Sequence, residues 1–92
     1  MSLNPKARQA LKAKAHKLHP IVMLGNKGLT DAVKKEIDIA LNDHQLIKVR
    51  IPSEDRDERK ATAAEICESQ SAELVQLIGK VAVLYRRKVE KK

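Results

Sequence analysis

The hydrophobic residues of this 92-residue chain first follow a helical period. A stripe with intervals of four, four and three residues is formed by Ala7, Leu11, Ala15 and Leu18. Asn4 is a suitable cap for this helix and Pro5 a suitable first-turn residue, while Pro20 disfavours helical backbone in the residue before it. The pattern therefore predicts a first helix that ends near His19.

Two extended segments come next among the hydrophobic patterns. Residues 21–24 form a short, continuous apolar run that ends at Gly25, which predicts a strand buried on both faces. Residues 46–51 alternate instead, and their apolar face is formed by Ile47, Val49 and Ile51. Because Lys48 and Arg50 share the other face, this segment predicts a strand with one basic face.

Helical patterns follow each of these strands. Thr30 is a suitable N-cap for a second helix that ends within the polar residues 42–44. Its stripe is formed by Val33, Ile37, Ala40 and Leu41. Asp55 with Glu58 resembles the start of a third helix. Its weaker stripe is formed by Ala63, Ile66 and Cys67.

The last two apolar runs, residues 74–78 and 81–85, are separated only by Gly79 and Lys80, a connection that suits a type II′ hairpin turn. The predicted order is therefore α-β-α-β-α-β-β. Strands separated by helices indicate parallel crossovers. We expect one α/β domain over residues 1–92, a small four-stranded mixed sheet with helices packed on it. Its core spans about residues 5–86, and residues 87–92 form a basic tail.

Charge points to the class of partner. Lys and Arg number 19 against 12 acidic residues, a formal net charge of +7 with a pI near 9.8. Such an excess on a small domain suggests a polyanion, although basic charge also serves solubility alone. Phe and Trp are absent, and Tyr85 fits the core better than a stacking platform. Contact with nucleic acid should then rest on phosphates, 2′-hydroxyls and shape more than on stacked bases.

A turn with two glycines, formed by Gly25, Asn26, Lys27 and Gly28, joins the first strand to the second helix. Glycine lets a ligand approach the backbone closely, a helix N-terminus favours an anion, and Lys27 adds a positive charge. Asp31 would partly oppose a phosphate there. The turn is neither a Walker loop nor a dinucleotide-binding GxGxxG motif. It is a candidate phosphate contact, with a tight strand-to-helix turn as the alternative.

Further candidates for the same contact are the basic residues Lys12, Lys17, Lys48, Arg50 and Arg86. If they converge on one side of the fold, they form a patch that follows a phosphate backbone. The alternative is a set of solvated charges on separate faces.

Catalysis finds little support in the sequence. Cys67, the single cysteine, excludes an internal disulfide and fits a packed thiol better than a nucleophile. His16 and His19 are three residues apart but have no evident third ligand. We expect neither a metal site nor a cofactor, and no enzymatic activity. The chain also has no signal-peptide pattern and no membrane-span pattern, so we expect a cytoplasmic protein. We also expect a monomer.

Three motifs, HPIVMLGNKGLTDAV, LIKVRI and QLIGKVAVLYR, resemble in their order and separation the CRM domain, most closely its stand-alone bacterial form, the YhbY family. The resemblance covers about residues 5–86. It implies an RNA-binding protein associated with precursors of the large ribosomal subunit; plant relatives act in organellar intron splicing. It also implies a fold similar to the C-terminal domain of translation initiation factor three. By analogy with KH domains, residues 25–28 contact RNA, although the KH loop joins two helices.

Our hypothesis is a non-enzymatic module that binds ribosomal RNA and assists assembly of the large subunit. A nucleoid-type DNA-binding protein is one alternative, and dependence on the 2′-hydroxyl separates the two. A protein–protein adaptor with incidental charge is another, and its binding should resist ribonuclease. A small phosphate-handling enzyme would need an acid–base or metal constellation that the sequence does not offer.

Overall fold

The computed structural model describes residues 3–87 and has the predicted order of elements. The three helices are α1 (Pro5–Ala15), α2 (Asp31–His44) and α3 (Arg56–Gln70). The four strands are β1 (Pro20–Met23), β2 (Leu46–Arg50), β3 (Glu73–Ile78) and β4 (Val81–Tyr85). Of the basic tail predicted at 87–92, only Arg87 lies within the described residues.

The strands form one mixed sheet in the order β1-β2-β4-β3. β1 runs parallel to β2, and β4 runs antiparallel to both β2 and β3. Strands β1, β2 and β3 therefore finish at the same end of the sheet, where β4 begins. We call this the loop end, because residues 25–28 follow β1 there. The predicted parallel crossovers and the closing hairpin are both present.

Each face of the sheet has its own hydrophobic cluster. The face against α2 and α3, the inner face, buries most of the core, including Ile37, Leu41, Ile47, Val49, Ile66 and Leu84. The opposite face, the α1 face, carries a smaller cluster around Ala15, Leu46, Val75 and Val83, with Tyr85 packed against it. Tyr85 is partly buried and packs against the core, which agrees better with the predicted core position than with a stacking platform.

Capping side chains begin the three helices where the sequence predicted. Oδ1 of Asn4 accepts a hydrogen bond from the Ala7 amide at 2.7 Å, and Oγ1 of Thr30 accepts one from Val33 at 3.2 Å. Asp55 caps α3 in the same way. These bonds satisfy donors that have no partner within the helix.

The first helix is shorter than predicted, since it ends at Ala15 rather than near His19. A tight turn follows, in which the Leu18 amide donates to the Ala15 carbonyl at 2.9 Å. The turn still packs Leu18 against the α1-face cluster. Leu18 thus continues the apolar stripe without being helical, and this is why its spacing suggested a longer helix.

The prediction that the first strand is buried on both faces is wrong. Ile21 is 52% exposed and Met23 is 61% exposed, whereas Val22 is buried. The reason is positional, because β1 is an edge strand and α1 packs on β2 and β3. The side of β1 that faces away from α2 therefore lies open.

Candidate nucleic-acid interface

The two-glycine loop is a closed four-residue turn. The Gly28 amide donates to the Gly25 carbonyl at 3.0 Å, and Asn26 and Lys27 stand exposed at the tip. Gly28 has φ +71°, a conformation that other residues rarely adopt. Gly25 has no positive φ, and a Cβ atom added to it would meet nothing within 4 Å. The backbone therefore favours glycine at position 28 but not at position 25.

The loop lies near the N-terminus of α2 but does not run directly into it. Leu29 and Thr30 intervene, and the Thr30 hydroxyl already accepts one of the first helical amides. Asp31 adds a carboxylate to the first turn. The helix N-terminus is thus partly satisfied, so the tip of the loop, with Lys27, is the better place for an anion.

Strand register places Arg50 beside this loop. Met23 pairs with Arg50, Arg50 with Val81, and Val81 with Ile78, so one row crosses all four strands at the loop end. Lys48 lies two residues before Arg50 and shares its face. Because Met23 precedes Gly25 by two residues, the structure brings the loop, Lys48 and Arg50 together.

Lys12 lies in the first helix, whereas Lys17 lies in the turn that follows it. Arg8, one turn before Lys12, donates to the Val75 carbonyl at 3.0 Å. The side of α1 that carries Ala7 and Leu11 lines a cavity together with Tyr85 and Arg86. This cavity is at the end of the sheet opposite the loop end, which we call the far end. Lys12 is on the same side of α1 as Arg8 and does not line that cavity, so we expect it to face the half of the α1 face where Lys48 and Arg50 lie.

Lys17 lines a different cavity, with His44 and Leu46, at the end of the sheet where β2 begins. That end is opposite the loop end. Lys17 is therefore not brought together with residues 25–28.

Arg86 is also at the far end, where its amide donates to the Gln45 carbonyl at 2.9 Å. Its guanidinium forms an ion pair with Asp38 at 2.9 Å and hydrogen bonds to the Asp38 carbonyl at 3.0 Å and to Asn42 at 2.8 Å. It also donates to the Gln70 carbonyl at 3.1 Å. The side chain is 18% exposed and ties α2 and α3 to the sheet. We therefore leave Arg86 out of the proposed interface.

Other basic side chains at the loop end were not among the site residues predicted from the sequence. Lys80, in the hairpin turn, pairs with Glu54 at 2.7 Å, and this hydrogen bond and charge lower the pKa of Glu54. A second group surrounds Leu77 and Gly79 and consists of Arg56, Arg59 and Lys60. The signal was available, because these three residues are spaced three and four apart at the start of the predicted third helix.

Cys67 and the possible metal ligands are the remaining titratable candidates. Burial raises the pKa of Cys67 to about 11, with the Glu73 carboxylate adding to the shift, which agrees with a packed thiol. Within residues 3–87, no group of three or more His, Cys, Asp or Glu side chains is arranged to hold a metal ion. None of the helices in this described part of the chain has the length and hydrophobicity of a membrane span.

Comparison with known proteins places this geometry in a family. The chain is 45% identical over 91 residues to a Haemophilus influenzae protein named "RNA-binding protein", covering 99% of this chain and 92% of the relative. It is 40% identical over 87 residues to "Probable RNA-binding protein PA4753" of Pseudomonas aeruginosa, covering 95% and 84%. The solution structure of hypothetical protein SAV1595 from Staphylococcus aureus superimposes with a TM-score of 0.85 at 36% identity, covering 98% and 94%. The CRS1 / YhbY (CRM) domain model matches residues 3–86, and the chain belongs to this family.

Proposed function

We propose that this protein is a non-enzymatic RNA-binding module that holds ribosomal RNA in precursors of the large ribosomal subunit and assists its assembly. The observation that carries the proposal is the convergence of the loop at residues 25–28 with Lys48 and Arg50 at one end of the sheet. Relatives named as RNA-binding proteins support RNA as the ligand.

The loop end has the physical properties of a phosphate-binding surface. Lys27 projects at the tip of an exposed turn, and the amides of Asn26 and Lys27 lie where a backbone can approach. Arg50 and Lys27 form no ion pair within the described residues, so their charges are available to a polyanion. Lys12 extends the same surface along α1.

RNA is favoured over the alternatives for different reasons. The names of the relatives favour RNA over DNA as the polyanion. An adaptor whose charge is incidental would not account for the exposed cations Lys27 and Arg50 beside one glycine turn. The large-subunit target, the monomeric state and the cytoplasmic location rest on the family resemblance and on the sequence pattern.

Crosslinking in cells followed by sequencing of the attached RNA tests the proposal. We expect large-subunit ribosomal RNA, enriched in unprocessed precursors, and a strong loss of crosslinks for the double variant Asn26→Asp/Lys27→Asp. The glycines stay in that variant, so the turn keeps its conformational freedom. Crosslinks spread over unrelated transcripts would contradict the ribosomal target. Equal recovery from the variant would contradict the role of the loop.

A further inference from the structure

The row that crosses the sheet at the loop end is largely apolar and open. Met23 is 61% exposed and Ile78 is 55% exposed at its two edges, and Val81 is half-buried between Arg50 and Ile78. Among the described residues, four large hydrophobic side chains are more than half exposed, and two of them lie in this row.

The row is open because of how α1 crosses the sheet. The helix packs its apolar stripe on the opposite half of the α1 face, over Leu46, Val75 and Val83. Within residues 3–87, no element covers the half that carries Met23, Arg50 and Ile78. This surface adjoins the loop directly, since Met23 is separated from Gly25 by one residue.

The chemistry of the row indicates what occupies it. The guanidinium of Arg50 has no hydrogen bond or ion pair to another side chain within the described residues. An occupant that complements the row offers negative charge together with an apolar surface. Unpaired nucleotides offer both, because their bases are free to lie on side chains or on the plane of an arginine guanidinium. Paired bases in a duplex are stacked inside the helix and present mainly backbone and groove edges.

We propose that the Met23–Arg50–Val81–Ile78 row binds the bases of unpaired nucleotides whose adjoining phosphates lie on the loop at residues 25–28. This inference rests on the proposed function and narrows its ligand to RNA with a single-stranded or bulged segment. Arg50 stacks on a base, and the Met23 thioether packs against a second ring, as sulfur does favourably with aromatic systems.

The dimensions of the row suit this ligand. Neighbouring strands lie about 4.8 Å apart, so the row spans about 14 Å from Met23 to Ile78. RNA-recognition motifs, which also use a four-stranded sheet, stack two or three bases across it. Here the platform is aliphatic with one guanidinium, and α1 covers half of the face, so there is room for fewer bases.

Abasic RNA separates base contacts from phosphate contacts. We would titrate the full chain with three hairpins that share one stem: a blunt stem, the stem with a three-nucleotide bulge, and the same bulge made abasic. Phosphate number is equal in the last two. We expect the wild type to bind the intact bulge about fivefold to tenfold more tightly than the abasic one, consistent with one stacked base.

The double variant Met23→Thr/Ile78→Thr should reduce this preference, because only Arg50 remains to stack on a base, and should keep its affinity for the blunt stem. Threonine suits a strand, so folding should survive, which a melting curve would check. Ile39→Thr is the matched control, because Ile39 is 52% exposed on α2, away from the row. It should behave as the wild type.

Three results would overturn the proposal. Equal affinity of the wild type for intact and abasic bulges would remove base contact while leaving the phosphate-binding function standing. An unchanged preference in the Met23/Ile78 variant would show that the row does not contact the bases. Failure of the wild type to bind any of the hairpins would defeat the proposed function together with this inference.

Discussion

Arg50 and Arg86 mark the two ends of the sheet and have opposite environments. Arg86 has five polar contacts from its guanidinium to α2 and α3 and is 18% exposed. Arg50 is exposed in the open row and has no such contacts within the described residues. The same type of side chain therefore holds the fold together at one end and is exposed to solvent at the other.

The contrast shows why net charge alone does not locate an interface. A guanidinium that already satisfies protein acceptors would have to give up those bonds to bind phosphate. Bonds to charged groups contribute about 1.5–3 kcal/mol each, so that exchange is costly. An exposed guanidinium exchanges only water. The following variants test whether the two ends really divide stability and binding between them.

The largest effect should come from Arg86→Ala, which removes the contacts at the far end. Asp38 and Gln70 would lose their partner in a half-buried site, and we expect the free energy of unfolding to fall by about 2–4 kcal/mol. RNA affinity of the folded protein should change less than twofold. Urea denaturation measures the first quantity, and titration well below the melting temperature measures the second.

Arg50→Ala is the matched control for this division. An exposed side chain without internal contacts changes stability within about 0.5 kcal/mol, so the melting temperature should hold while RNA affinity falls several-fold. The proposed division of stability and binding between the two ends would be wrong if Arg86→Ala weakened RNA binding as much as Arg50→Ala does. It would also be wrong if Arg86→Ala left the free energy of unfolding unchanged.

Charge reversal compares the ends at equal net charge. Lys27→Asp and Lys17→Asp each remove one positive charge and add one negative, both at exposed positions. At about 5 Å and an effective dielectric near 20, the repulsion from a phosphate is on the order of 3 kcal/mol before salt screening. We expect Lys27→Asp to reduce RNA affinity about tenfold and Lys17→Asp much less. Filter binding at 50 and 150 mM salt measures both, and equal losses would show that only net charge matters.

Much of the fold was predictable because local chemistry determines it. Asn4, Thr30 and Asp55 indicate where the three helices begin. Gly79 indicates the hairpin turn, in which Gly79 has φ +55° and Lys80 has no positive φ. Alternation in β2 correctly placed Lys48 and Arg50 on one face. These features depend on residues a few positions apart, which a single sequence displays.

The arrangement of the candidate surface was less predictable, because it depends on which strand lies at an edge and how far α1 reaches. An apolar run such as residues 21–24 looks the same in a central strand and in an edge strand. Met23 and Ile78 are distant in sequence and meet in one row only through the order β1-β2-β4-β3. For the same reason, sequence did not distinguish Arg50 from Arg86.

The two glycines of the loop offer a smaller and more specific test. Gly28→Ala places a Cβ at φ +71° and should lower the free energy of unfolding by about 1 kcal/mol. Gly25→Ala meets open space at an unstrained φ, so stability should hold. If RNA approaches the Gly25 backbone closely, affinity should nevertheless fall several-fold. Paired melting curves and titrations measure both effects, and an unchanged affinity for Gly25→Ala would place the RNA farther from this backbone.

The smallest effect should be a gain at the loop end. Glu54, 88% exposed, holds the ammonium of Lys80 at 2.7 Å, and the exposed pair adds little to stability. In Glu54→Gln the ammonium becomes free to meet a phosphate, and the neighbouring negative charge is gone. We expect RNA affinity to rise about twofold and the slope of log K against log salt to steepen by about 0.7–0.9, the value of one added phosphate contact. Glu65→Gln is the control, because it removes one exposed negative charge from α3 without releasing a paired lysine. A steeper slope in the Glu54 variant alone would place Lys80 against RNA. Equal slopes in the two variants would exclude Lys80 from the contact.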